Sequence, residues 1–249
     1  MLEFDNESTA VVEPDKIKPM VNAPTAAVAC FFPEIIATMT EGVDSARPLL
    51  ELPSRIPLWE IKYSGQRLAL FYPGTGAPLA AYTMERVIAS GCRNIIACGG
   101  AGAVQPNTDM GESIFIVSEA VRDEGTSYHY LPPSRSVAAD QEVASLLADV
   151  VTKRDLKYQK CKTWTTDAYF RETISRRNRR QEEGCETVEM EAAALIAVAA
   201  FRQIRFGQYL YAGDDISGAV WDSREWWHAT ELRHLVVELA AEAALRLSG

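Results

Sequence analysis

The sequence predicts an α/β fold, a central sheet covered by helices on both faces, and three observations lead there. Apolar runs of strand length alternate with helical stretches from residue 26 to the C-terminus, the pattern of a layered α/β domain. The runs near 98, 166 and 213 end in glycines, an aromatic residue or acids, and in such sheets ligands sit beyond the carboxyl ends of the strands. With 249 residues, 47% hydrophobic and 24% charged, one domain of this kind can bury a substantial core.

The first 24 residues are polar and punctuated by prolines, so residues 1–24 read as an arm ordered by docking, ahead of a single domain over 25–249. AAVACFF (26–32) is an apolar run of buried-strand length, and Pro33 suits a first helical position. PLWEIKYSGQRLALFYP (57–73) is two alternating runs joined at Ser64-Gly65, a hairpin. GTGAPLAAYTMERVIASG (74–91) is a glycine loop feeding an amphipathic helix that stops at Gly91. NIIACGGAGAV (94–104) reads as a short strand running into a second glycine loop, and SIFIVSEAVRD (113–123) as another strand. VASLLADVVTKRD is a helix, DLKYQKCKTWTT a strand with alternating faces, RFGQYLYAG (205–213) a strand of apolar interior, and 224–247 a long helix.

Composition excludes several classes of function. No apolar run approaches the roughly 20 residues that span a bilayer, and MLEFDNESTA lacks the basic, then apolar, order of a signal peptide. A cytoplasmic protein is expected, making no membrane contact. Cysteines 30, 92, 98, 161 and 185 form no Cys-x-x-Cys pair, and with three histidines there is no metal-ligand spacing. The net charge of −9 opposes nucleic-acid binding. The one basic run, ISRRNRR (174–180), meets QEEG at once and reads as a solvated helix or loop.

VEMEAAAL (188–195) reads as a helix whose first turn holds Glu189 and Glu191, where carboxylates favour the helix dipole. Thr187 is placed to cap it, and Met190 three residues on rules out a reciprocal capping box. At about 100° per residue the two glutamates stand roughly 200° apart, so one enters a pocket while the other looks elsewhere. Asp214 and Asp215, adjacent at a strand end, point to opposite sides, one facing the cleft and the other capping or orienting. GGAG and PGTG match neither Walker nor Rossmann spacing and by themselves are tight turns.

Four stretches, IIACGGAGAVQPNTDMGESIFIVSEAVRDEGTSYHY, KTWTTDAYFRET, TVEMEAAAL and YAGDDISG, occur in the order found in a known family. In them the chain resembles the purine nucleoside and uridine phosphorylases, a superfamily that also holds the methylthioadenosine and S-adenosylhomocysteine nucleosidases. The resemblance covers residue 25 to the end. It implies a three-layer α/β/α sandwich with a mixed, partly barrel-like sheet, no organic cofactor or metal, and a homodimer or homohexamer with pockets between subunits. It assigns Glu191 to the ribose 2′- and 3′-hydroxyls, Met190 to the ribose face, Glu189 to a place beside it, Tyr169 to stacking on the base, and Asp214 to protonating N7 of a purine. The positions where uridine-cleaving members hold the pyrimidine with Gln and Arg fall at Thr173 and Ser175, so a purine is preferred.

The departures concern the nucleophile. CFFPEII (30–36) stands where phosphorolytic members carry Gly-Asp-Pro-x-x-Arg, while Ala97 and Gly100 replace a strand arginine and a loop Ser or Thr. Arg55 lies one residue from where a neighbouring subunit lends an arginine. Glu34 sits near the glutamate with which the nucleosidases activate water, but Leu210 replaces their arginine four residues before the aspartate. Because two glycine loops border one cleft, phosphate as co-substrate is expected, bound by the amides of 74–76 and 99–102, including Gly99 and Gly100, with Arg55. The expected activity is phosphorolysis of a purine nucleoside to free base and ribose 1-phosphate. Hydrolysis with Glu34 as base, and non-catalytic nucleoside binding, are the alternatives.

Overall fold

The computed structural model describes residues 4–17, 19–106, 108 and 113–248. Asn107 and residues 109–112, inside the longest matching stretch, lie outside the described residues, as do residues 1–3, 18 and 249. In chain order the elements are β1 (Ala26–Cys30), α1 (Pro33–Thr40), β2 (Arg47–Glu51), β3 (Pro57–Tyr63), β4 (Gln66–Phe71), α2 (Ala77–Ala89), β5 (Asn94–Ala103) and β6 (Ser113–Asp123). Then follow β7 (Ser136–Ala138), α3 (Gln141–Lys153), β8 (Lys157–Thr166), α4 (Ile174–Glu182), β9 (Thr187–Glu189), α5 (Ala192–Arg202), β10 (Arg205–Asp215) and α6 (Thr230–Ser248).

The strands form one mixed sheet in the order β10-β6-β8-β9-β5-β1-β4-β3-β2, and β10 also pairs with β5. That last pairing, parallel from Arg205↔Asn94 onward, closes β5, β10, β6, β8 and β9 into a barrel. β1, β4, β3 and β2 continue from it as an open wing. One face packs against α2 and α5 through Met84, Val87, Leu195 and Val198. The other packs against α1, α3 and α6 through Ile35, Leu147, Val236 and Leu239. Trp164, Val121 and Val188 form a smaller apolar group with Cys185. Among the described residues, no helix is long and apolar enough to cross a membrane.

Local chemistry accounts for the elements that position the site. β1 is buried at all five residues, as its unbroken apolar run requires. The β3–β4 turn is Ser64-Gly65 with φ of 49° and 78°, the left-handed pair that a two-residue hairpin needs. Asp140 caps α3 by accepting from the Glu142 and Val143 amides. Arg86 of α2 donates to the carbonyls of Pro14, Ile17 and Pro19, tying the N-terminal segment to the domain.

Gly207 lies where α3 crosses β10. A Cβ there would stand 2.7 Å from Val143 Cγ1 and 2.9 Å from Leu147 Cδ1, so the helix packs this closely only over a glycine. Gly207→Ala is expected to cost about 1–3 kcal/mol through overpacking, read as a lower urea midpoint with unchanged slope.

Several local expectations are corrected. β2, β7 and β9 were not foreseen, being three to five residues long and held by their neighbours. The glycines after Cys98 are not a loop. β5 continues through them to Ala103 because β10 runs alongside, with Gly99↔Leu210 and Gly100↔Tyr211 in register. The C-terminal helix begins at Thr230 rather than 224, since a single 3₁₀ turn, Trp226–His228, precedes it. α4 carries the basic run, but Arg177 and Arg180 are buried, not solvated. Arg177 Nη1 donates to the carbonyls of Ile216, Ser217 and Gly218, and Arg180 pairs with Asp123 and Glu183.

Candidate active site

A cavity of about 500 Å³ opens where β1, β5 and β10 end and α5 begins. It collects Glu34, Gly99, Gly100, Tyr169, Glu189, Met190, Glu191 and Asp214 from the sequence-derived set. Arg55 is absent from it: that residue is exposed and borders a separate hollow of about 290 Å³ with Ile36, Thr40 and Trp59. A larger hollow, about 920 Å³, lies between the N-terminal segment, α2, the end of α5 and the loops after β6 and β8, and none of those sequence-derived residues lines it.

The two glutamates do not open a helix. Thr187–Glu189 is strand β9, so Thr187 is no N-cap, and Glu191 itself occupies that position ahead of Ala192. The helical angle of 200° therefore does not apply, and both residues line the cavity. Glu189 supplies the cap: its Oε2 accepts from the amides of Glu191 (2.7 Å) and Ala192 (2.6 Å), while Oε1 accepts from Thr165 Oγ1 (2.6 Å). Glu191 Oε1 accepts from the Gly76 amide at 2.5 Å. That bond engages an amide of the first glycine loop, which was expected to hold an anion.

Burial pushes both carboxyls well above the usual range, and Glu189's charge raises Glu191 further. Three donors favour the ionised form of Glu189 against the Gly76 and Met190 amides for Glu191, so Glu191 is the more strongly raised of the two. The folded protein thus binds protons more tightly than the unfolded chain. The resulting stability is present below the ordinary glutamate range and is lost as pH rises through the raised values. Glu191→Gln should flatten this dependence, so that its Tm falls less than the wild type's between about pH 5 and 8. Equal slopes would show that Glu191 does not titrate there.

At the other end of the cavity, burial raises the Asp214 carboxyl and Asp215 adds to the effect, while a hydrogen bond from Trp221 Nε1 to Oδ2 (2.7 Å) opposes it. Asp215 is turned to its own loop, where Oδ1 accepts from the Ser217 amide. Gly102 allows the close approach: a Cβ there would lie 3.3 Å from Asp214 Oδ1 and 3.0 Å from Val188 Cγ1. Tyr169 is 43% exposed at the rim, edge-on to Phe170, so it is no ordinary core tyrosine. Glu34 stands in the first turn of α1 and its Oε1 accepts from Arg233 Nη1 at 2.5 Å.

Residues 25–248 match the phosphorylase superfamily. The chain belongs to that family. Among its phosphorylase-superfamily relatives, a uridine phosphorylase of Thermococcus kodakarensis is 33% identical over 44% of this chain and 39% of its own length. A guanosine phosphorylase of Halorubrum lacusprofundi is 26% identical over 58% of this chain and 60% of its own. Each alignment spans less than two thirds of the relative. A purine nucleoside phosphorylase from Toxoplasma gondii, solved in complex with immucillin-H, superposes with TM-score 0.78 at 17% identity, covering 91% of this chain and 92% of that one. At that identity the likeness is one of fold.

This superfamily member also places in the cavity residues that its sequence did not single out. Glu172 lines it beside Tyr169, and burial together with Asp214's charge lifts its carboxyl to about 7. Its place in TTDAYFRET was a signal available beforehand. Gln208, 2% exposed, lines the cavity with no hydrogen-bond partner for Oε1 among the described residues. It interrupts the otherwise apolar strand FGQYLY, the one local sign of a ligand-facing role. Trp226, Trp227 and Arg233 complete the wall, and no local pattern marks them.

Proposed function

We propose that the chain cleaves the N-glycosidic bond of a purine nucleoside by phosphorolysis, releasing the free base and ribose 1-phosphate. One observation carries the reading: a raised acid, Asp214, and the buried Glu189–Glu191 pair face one cavity sized for a nucleoside in a phosphorylase-superfamily fold. Glu191 binds the ribose diol, with Met190 against the sugar face. Tyr169 stacks on the base. As the C1′–N9 bond breaks, its electrons pass to the base, and Asp214 donates a proton at N7, which makes the base a better leaving group. A phosphate oxygen forms the new bond to C1′. Glu172 accepts from a ring N–H when ionised. Thr173 and Ser175 bond to each other near the start of α4 and do not line the cavity, which supports a purine over a pyrimidine.

Gly99 and Gly100 serve the nucleophile as part of β5 rather than as a free nest. Phe31 N donates to Cys98 O, and alternation along the strand puts the Gly100 amide on the same edge, where β1 has ended. Arg55 is assigned to a neighbouring subunit's site in a cytoplasmic homodimer or homohexamer, and no organic cofactor or metal is assigned. The reading is tested by incubating purine nucleosides and uridine without phosphate and then adding it. Turnover of inosine, guanosine or adenosine that requires phosphate and yields ribose 1-phosphate is expected. Activity on uridine alone would overturn the purine assignment.

A second reading, hydrolysis, draws on one observation. Arg233 is the only Lys or Arg among the cavity's described lining residues, and it is already paired with Glu34. An ionised Glu34 held in this way could act as base toward water. Turnover unchanged by phosphate, with free ribose as product, would decide for it. No turnover on any nucleoside would decide for a binding protein.

A further inference from the structure

We propose that Arg233, on α6, is the residue that binds the phosphate, and that Glu34 is a latch which the anion displaces. This inference rests on the phosphorolytic reading. The cavity is lined by five carboxylates, Glu34, Glu172, Glu189, Glu191 and Asp214, with Arg233 the only Lys or Arg among the described lining residues. A phosphate dianion entering such a site requires a cation. The family's strand arginine is replaced by Ala97, and Gln208, in register beside it on β10, brings a neutral amide to the cavity. Within one subunit the charge must come from another element, in addition to the Arg55 assigned to a neighbouring subunit's site.

Arg233 is placed to supply it. Its side chain is 8% exposed, against 49% for Glu34, so the arginine is fixed while the carboxylate can turn out to solvent. Nε donates to Tyr211 Oη (3.0 Å) and Nη2 to the Trp226 carbonyl (2.9 Å), which hold the guanidinium plane. Three of its five N–H donors are engaged, counting Nη1 to Glu34. Departure of Glu34 leaves both Nη atoms with a donor for a bidentate anion. The same group lies beside the glycine strand: a Cβ on Gly100, where relatives carry Ser or Thr, would stand 3.4 Å from the Tyr211 hydroxyl. Position 100 thus lies in contact range of the tyrosine that orients Arg233.

The test combines phosphate kinetics with direct titration by inorganic phosphate, followed by tryptophan fluorescence, because the Trp226 ring centre lies 5.3 Å from the guanidinium. Arg233→Gln is expected to raise the KM for phosphate by roughly 10- to 100-fold, the loss of one or two charge-assisted bonds, with little change in the KM for the nucleoside. Arg233→Lys should recover part of that loss. Glu34→Gln, at an exposed position, should lower the phosphate KM and does not depend on Arg233→Gln folding. An unchanged phosphate KM in Arg233→Gln, or a raised one in Glu34→Gln, would overturn the proposal while leaving phosphorolysis intact. If turnover is independent of phosphate, the reaction assignment fails. The anion site then stands if phosphate changes wild-type fluorescence but not that of Arg233→Gln, and falls if the wild type does not respond.

Discussion

Glu191→Gln should keep the fold and lower kcat/KM for the preferred nucleoside by about 30- to 1000-fold, the equivalent of about 2–4 kcal/mol of transition-state stabilisation. The substitution preserves the amide-to-carbonyl bond from Gly76, because one side-chain oxygen remains to accept it. When ionised, the Glu191 carboxylate can accept from both ribose hydroxyls as positive charge develops on the sugar, and the amide carries no such charge. Glu189→Gln should behave differently. Both oxygens of Glu189 accept, three donors in all, and an amide cannot accept at its nitrogen. The expected result is a loss of stability of about 1–3 kcal/mol with a smaller fall in rate per folded molecule. Small and equal kinetic effects of the two changes would remove the ribose from this site.

The second large effect is expected at Asp214. Asp214→Asn keeps the shape and can still accept from Trp221 Nε1, but it has no carboxyl proton to give. Purine cleavage should fall by about 10²- to 10⁴-fold, the usual scale for a general acid, and least for substrates whose base departs readily unprotonated. Asp215→Asn is the control. It lies in the same dipeptide, and its carboxylate accepts only from the Ser217 amide of the described loop, so the rate should change far less. Parallel loss in both variants would mean that the 214–217 backbone, not the proton, is what matters. Rates on a series of purine nucleosides with graded leaving groups separate these cases.

Much of the fold was legible because its signals are local. The alternation of apolar runs with amphipathic stretches marks β1, β3, β4, β8, β10, α2 and α3, and Ser64-Gly65 marks a turn whose backbone only such residues adopt readily. The short strands were not legible. Thr187–Glu189 has no pattern of its own and is extended because β5 and β8 flank it. That single misassignment set the two glutamates apart when they in fact share a cavity. The basic run of α4 misled for a related reason: charge reads as solvation unless the partners are known, and those of Arg177 are backbone carbonyls about 40 residues on.

By itself the sequence determined the order of the longer strands and helices and the residue types at the strand ends, since each is a property of neighbours along the chain. Only the tertiary structure decided which of those residues meet. Closure of β10 on β5 brings Asp214 against Gly102, the start of α5 sets Glu191 on the Gly76 amide 115 residues away, and α6 carries Arg233 to Glu34 across 199 residues. These pairings, and the burial that raises the acids, depend on sheet register and on which helix covers which face. A periodic pattern specifies that a face is buried, but not what lies opposite it.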